Sequence, residues 1–393
     1  MTDTALATPA GSAPPRPVRA SAGAIAVTIA CVVPIFLVGG LAVQMGHDLR
    51  FSPAGLGLAV SVYFGVSALA SVPSGALVER YGPAVVARAG ILLSAGSLLA
   101  VAGLARSYPV LVVLLGLSAG ANALGQLASN AALAAHVPAR RQGLSFGVKQ
   151  AAIPVSTLLA GAAVPTVALT VGWRWAFVAA AVGALAALAV VPGREPAATR
   201  RRSGGRGGRA TVALVVVGVA ATLAAAAANA LGTFVVDSSA TRGLSPALAG
   251  LTLTLGSAVC VAARVGAGWL ADRRESGHVA LIAGMLVVGA GGLALLAMAG
   301  PVPLVAGVVL GFGLGWAWPG LMNFAVVRLH PQAPAAATSI TQTGVYAGGC
   351  LGPLGLGALA DTFGYPVMWA AAAAAMLLAA LFMLTGSRLL ARP

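Results

Sequence analysis

Acidic residues are nearly missing from this chain. Eight Asp and Glu stand against 23 Lys and Arg in 393 residues, and all charged residues together make up 8%. A soluble domain carries about 25%. So few charges cannot hydrate the surface of a water-soluble fold in which 59% of residues are hydrophobic and mean hydropathy is +0.96. Lysine is rarer still: Lys149 is the single one, set in the apolar stretch FGVKQAAIP. Cysteine is also sparse. Cys31, Cys260 and Cys350 sit in apolar runs without metal-ligand spacing, which argues against a disulfide framework or zinc site and reads as small buried residues. Aromatics are 5% and are not interleaved with the basic residues, so the net charge of +15 does not describe a nucleic-acid surface.

What the sequence has is apolar length. A membrane-spanning helix needs about 20 mostly apolar residues. Twelve such windows can be drawn, near 22-43, 56-78, 84-105, 109-134, 143-169, 173-192, 211-236, 246-271, 279-299, 302-327, 337-360 and 365-386. The first is too long for a signal-peptide core and no A-x-A-like site follows it, so it reads as a span. Arginines alternate in density between successive connections. With the N-terminus inside, the inner segments hold Arg16, Arg19, Arg80, Arg88, Arg140, Arg141, six from Arg194 to Arg209, Arg273, Arg274, Arg328, Arg388 and Arg392. The outer loops hold Arg50, Arg106, Arg174 and Arg242. This bias predicts a multi-pass cell-membrane protein with both termini cytoplasmic.

The expected organisation is a disordered cytoplasmic tail at 1-20, a six-helix bundle at 21-192, a Gly/Arg-rich cytoplasmic linker at 193-210, a second six-helix bundle at 211-388 and a short cytoplasmic tail at 389-393. The halves repeat. Gly75, Glu79 and Arg80 fall on Gly268, Asp272 and Arg273 at an offset of 193, and Asn130 falls on Asn323 at the same offset. Gln150 falls on Gln342 and Gly172 on Gly364 at 192. Parallel duplication of six spans is the plan of many secondary transporters, which bind substrate near the midplane between the halves.

These residues resemble the major facilitator superfamily over nearly the whole chain. The family signature between spans two and three, roughly G-x-L-x-D-R-x-G-R-R, appears as Gly75, Leu77, Glu79, Arg80, Gly82 and Arg88, and its second copy keeps Gly268, Asp272, Arg273 and Arg274. The resemblance implies an all-α fold of twelve transmembrane helices in two pseudo-symmetric six-helix bundles. It also implies a cytoplasmic gate at Gly75, Glu79, Arg80, Gly82, Gly268, Asp272 and Arg273, where a carboxylate can meet arginines and a neighbouring helix N-terminus; fixing topology alone is the other reading. The Gly/Pro-rich motif that drug antiporters of the family carry in span five lies here in span eleven, GVYAGGCLGPLGLG, and span four lacks their buried arginine. Span eleven then reads as a bend and contact surface.

An ionisable group inside the membrane is a functional candidate by default. Lys149 and Arg264 both fall about 9–10 Å inside the cytoplasmic boundary at 1.5 Å per residue, on spans that face each other in this family. No acid lies at that depth. An anionic substrate is the expected counter-ion, and the Arg264 context ARVGAGWLAD resembles the span-eight arginine that binds carboxylate in the monocarboxylate and oxalate/formate carriers. Alternatively Lys149 snorkels to the headgroups and Arg264 pairs with backbone carbonyls or Asp272. Asn122, Gln126 and Asn130 form a polar stripe on span four that lines the path or joins helices. Gln150, Asn323, Gln342, Trp316 and Trp318 are further lining candidates, and Asp237, Asp48 and His47 are candidate proton carriers at the outer side.

The expected function is secondary-active transport by alternating access of a small organic anion, with proton symport or anion exchange. Efflux of drugs or a secondary metabolite is the alternative, and a non-transporting receptor a more distant one. No span pairs a nucleophile with a base or gathers metal ligands, so no enzyme activity, cofactor or metal is expected. The expected partners are a small molecule, the lipid bilayer and, for symport, protons, with no nucleic acid, in a functional monomer.

Overall fold

The structure, a computed structural model, describes residues 17-138, 141-191, 208-329 and 334-391. It is helical from end to end: α1 (Pro17–Gly40), α2 (Ala42–Leu49), α3 (Pro53–Tyr81), α4 (Pro83–Leu104), α5 (Tyr108–His136) and α6 (Gln142–Ala163). A π-helical turn π1 (Val164–Ala168) extends α6 before α7 (Trp173–Ala187). Then follow α8 (Gly208–Thr241), α9 (Pro246–Arg273), α10 (His278–Leu296) and α11 (Pro301–Leu310). A second turn π2 (Gly311–Gly315) leads to α12 (Trp318–Leu329), and α13 (Pro334–Phe363) and α14 (Tyr365–Ala391) close the chain.

Ten stretches of the described residues are long and apolar enough to cross a membrane. The other two expected spans are α7 and α13. At 15 residues α7 is about 22 Å long, short of the ~30 Å hydrocarbon core, while the glycines, Thr341, Gln342 and Pro353 of the 30-residue α13 dilute its hydropathy. Two boundaries move. Helix α1 begins at Pro17, inside the stretch expected to be a tail, because proline is well tolerated in a first helical turn. At the other end α14 runs on to Ala391. The expected linker at 193-210 lies outside the described residues up to 207.

Helix starts follow from Ser-Pro pairs. Ser52 Oγ accepts from the Gly55 amide at 3.3 Å and Ser245 Oγ from Leu248 at 3.4 Å, with Pro53 and Pro246 at the first helical position. The two pairs are another repeat landmark at an offset of 193. Gly172 and Gly364, also repeat-related, take φ of 101° and 83° at the turns before α7 and α14, a conformation that strains any side chain.

The first six spans pack on one another chiefly through α1 against α4, α5, α6 and α7, and α3 and α4 against α5. The last six pack through α8 against α13 and α14, α10 against α11, π2 and α14, and α9 against π2. The sets meet along two seams, α6 on α9 and α3 on α13. Small residues let these backbones touch. A Cβ on Gly147 would lie 2.9 Å from the Arg264 carbonyl, and one on Gly161 2.6 Å from the Gly250 carbonyl, so α6 and α9 are in contact at both ends. The span-eleven glycines are indeed a contact surface: Gly344, Gly348 and Gly352 lie against α8, and Gly349 and Gly357 against Phe64 and Gly57 of α3. Apolar side chains such as Leu69, Val302 and Leu351 are exposed on the periphery, where lipid tails would solvate them.

Candidate functional site

The site starts from two interrupted helices. Pro154 has no N–H, so the carbonyl four residues earlier, Gln150, loses its helical donor. In span ten the break between π2 and α12, with Trp316 at φ −118° and ψ 0°, frees a second carbonyl. Arg264 of α9 takes both. Its Nη1 donates to Gln150 O at 2.5 Å, and its Nε and Nη2 donate to Trp316 O at 3.1 and 2.7 Å. The guanidinium is 1% exposed and lies 5.7 Å from the Trp316 ring centroid. One cation thus ties α6 of the first half to α9 and the span-ten break of the second.

Around it is a central cavity of about 60 Å³. Its polar wall is Asn122, Gln126, Gln150, Asn229, Arg264, Asn323 and Gln342; Phe36, Phe64, Trp316, Trp318 and Tyr346 supply aromatic surface. Eight of the ten residues expected to bind substrate are therefore brought together. The other two, Lys149 and Asn130, are not in the lining.

Lys149 does not reach for the headgroups. It is 1% exposed, and its ammonium donates inward to Gln126 Oε1. It stands behind the wall, joining α6 to the polar stripe of α5. Asn122 both lines the cavity and joins helices, since its Nδ2 donates to Ser67 Oγ of α3 at 3.1 Å. Asn130 lies beyond the cavity, with its Oδ1 buried and unpaired among the described residues. Among the described residues no acid, Asp48, Glu79, Asp237, Asp272, Glu275 or Asp361, forms an ion pair with Lys149 or Arg264, and all six lie near helix ends or in loops.

The signature copies differ. Asp272 accepts from the Gly143 and Leu144 amides at 3.1 and 2.9 Å, so a carboxylate of α9 caps the N-terminus of α6. Gly268 gives the necessary closeness, as a Cβ there would lie 2.9 Å from Gly143 O. Arg273 stacks on Trp269 at 3.7 Å. In the first copy Glu79 is exposed, Arg80 lies over Tyr81, Gly75 has open space around it, and Gly82, at φ 82°, turns α3 into α4.

At the opposite end the candidate proton carriers are engaged. Asp48 accepts from Trp173 Nε1 at 2.8 Å and lies 3.6 Å from Arg174, while the neighbouring His47 side chain is 92% exposed. Asp237 accepts from the Tyr365 hydroxyl. Trp173 and Tyr365 each follow a positive-φ glycine and are repeat-related at an offset of 192, while the acids they bind, Asp48 and Asp237, are 189 apart and so are similar in place but not in register. Nearby, Arg242 donates to the carbonyls of Met298, at 2.9 Å, and Leu296 at the end of α10; partial burial pulls its guanidinium below the ordinary value.

Sequence reasoning missed Pro154, Asn229, Tyr346 and the hydroxyl pair Thr157–Ser257, which meets across the α6–α9 seam at 2.5 Å. A proline four residues after a polar candidate was the available signal for a freed carbonyl.

A polar cavity held between two sets of membrane helices defines a polytopic membrane carrier. Comparison of sequences names the group: the chain belongs to the Major Facilitator Superfamily, whose profile matches residues 23–353 and 217–390. It is a secondary membrane transporter for a small molecule. No curated protein matches the chain.

Proposed function

We propose that the protein carries a small organic anion, a carboxylate, by alternating access between the two six-helix bundles. The observation that carries this is Arg264, a guanidinium 1% exposed on the wall of the central cavity and held by neutral carbonyls. Carbonyls orient a cation without neutralising it. A second buried basic side chain, Lys149, is bonded to neutral Gln126. An anion in the cavity supplies the missing charge, where low dielectric strengthens the attraction. Three N–H groups of Arg264 are already committed to carbonyls, so the grip is electrostatic first and does not use the whole fork.

The Asp272 cap is the gate at the arginine-rich end, and the positive-inside bias supports a cytoplasmic position for that end and for both termini. Transport is coupled to a proton or to a counter-anion, and the unit is a monomer. Proton-coupled efflux of drugs or a secondary metabolite is the second reading, favoured by the aromatic wall of Phe36, Phe64, Trp316 and Trp318.

Thermal stabilisation of the purified protein by a panel of short carboxylates and cationic drugs tests the choice. Stabilisation by carboxylates that disappears in Arg264→Met is expected; stabilisation by cationic drugs in both proteins would overturn the anion reading and favour a drug substrate instead.

A further inference from the structure

We propose that the second half of the protein holds one zwitterionic phospholipid, of the phosphatidylethanolamine class, at the end of the molecule away from the Asp272 cap. Its headgroup occupies a cavity lined by two opposite charges, and an acyl chain lies along α11. The site is separate from the central cavity and does not depend on which substrate is carried.

The headgroup cavity has a volume of about 590 Å³ and lies at the ends of α8, α10 and α13 and the start of α14, with Ser238, Arg242, Met298, Asp361 and Tyr365 in its lining. The helices that carry the two charges, α8 and α13, pack on each other. Arg242 and Asp361 nevertheless form no ion pair with each other or with another described residue. Arg242 commits Nη1 and Nη2 to the Met298 and Leu296 carbonyls, which leaves its Nε–H and its charge. Asp361 is exposed, has no hydrogen-bond partner among the described residues and sits in the last turn of α13. The helix dipole disfavours an anion there, so this carboxylate lacks a cation. Duplication does not account for it, because the position 192 residues earlier is Leu169.

A second cavity, of about 600 Å³, begins beside the first. Ala299 lines one and Pro301 the other, with only Gly300, at φ 102°, between them. Its lining is wholly apolar: Pro301, Val302, Val305, Ala306, Val309 and Leu310, two rows spaced by four along one face of α11. That stripe runs about 14 Å at 1.5 Å per residue, close to half of the ~30 Å hydrocarbon core. It therefore covers the depth of one leaflet. A charged cavity beside an apolar groove of leaflet length matches an amphiphile. A soluble ion would leave the groove empty, and a second apolar helix would leave both charges uncompensated. Phosphate answers Arg242, and a primary ammonium brings Asp361 a cation with three N–H donors. A purely anionic headgroup answers Arg242 but is repelled by Asp361.

The test is lipid retention by the purified full-length protein, offered equal amounts of phosphatidylethanolamine and phosphatidylglycerol with identical chains and read by native mass spectrometry. Wild type should keep phosphatidylethanolamine over phosphatidylglycerol by about two- to five-fold, the size of an exposed ion pair. Asp361→Asn should bring that ratio to about one or below. Ala306→Trp, which fills the groove, should lower retention of both lipids about three-fold or more, the loss of a single buried methylene. The lipid-free melting temperature reports folding, and Asp361 has no partner to lose. Equal retention of the two lipids by wild type, or a preference unchanged in Asp361→Asn, would overturn the headgroup assignment. Retention unaffected by Ala306→Trp would overturn the tail assignment. Displacement of the lipid by soluble glycerophosphoethanolamine as readily as by intact phosphatidylethanolamine would overturn the lipid in favour of a water-soluble zwitterion.

Discussion

A single side chain organises the centre of this molecule, and a residue with no chemistry of its own places it. Pro154 deletes one backbone donor, and the carbonyl so freed on Gln150 receives Arg264 Nη1. Pro154→Ala restores an N–H that competes for that carbonyl. Helix α6 should gain stability, since proline is unfavourable by about 3 kcal/mol relative to alanine in a helix interior. The anion affinity should nevertheless fall several-fold, as a hydrogen bond to a charged group is worth about 1.5–3 kcal/mol. A titration that shows unchanged affinity would mean that the Gln150 contact does not orient the guanidinium. At this scale the sequence was informative about which residues are costly in a membrane, Lys149 and Arg264, because cost follows from residue type and depth. It did not say where each points. Lysine reach allows both snorkelling and burial, and only the position of Gln126 on the neighbouring helix settles the direction taken.

Among elements, α6 and α9 share the most intimate seam. Glycines bring the backbones together, the Asp272 carboxylate caps α6 at one end, and Thr157 meets Ser257 further along. Asp272→Asn keeps the shape but removes the charge that the helix N-terminus favours, worth about 0.3–1 kcal/mol at an exposed site. The seam should open more often at that end. Alkylation of Cys260, which is 0% exposed on α9, should then speed up about two- to five-fold in a Cys31→Ser, Cys350→Ser background; an unchanged rate would show that Asp272 does not hold the seam. Spans were legible in the sequence because apolar length is a local property. Two were blurred for opposite reasons: α7 is short, and the glycines that let α13 touch α3 and α8 lower its hydropathy.

Over the whole molecule the duplicated sequence becomes a duplicated interaction. Trp173 donates to Asp48 of α2 and Tyr365 to Asp237 of α8, each tying the last span of a half to the outer end of its first part. The register counted from Gly172 and Gly364 predicted that Trp173 and Tyr365 correspond; it could not predict that they bind acids, because the partners are 125 and 128 residues away in sequence and do not themselves share the register. These ties support a structural role for Asp48 and Asp237. Trp173→Phe and Tyr365→Phe should each lower stability by about 1–2 kcal/mol while leaving the coupling stoichiometry of transport unchanged. A changed stoichiometry would return one of the acids to the proton path. The α6–α9 seam is closed at both ends, so movement of substrate requires the halves to rock about contacts that glycine keeps thin.

Counterflow of a labelled short carboxylate, propionate, in proteoliposomes, wild type against Arg264→Met, tests the central claim most directly. Trans-stimulated uptake in wild type that falls at least ten-fold in the variant is the predicted result. Full counterflow in Arg264→Met, from protein shown to be folded, would contradict the claim that the buried guanidinium is what an anion binds.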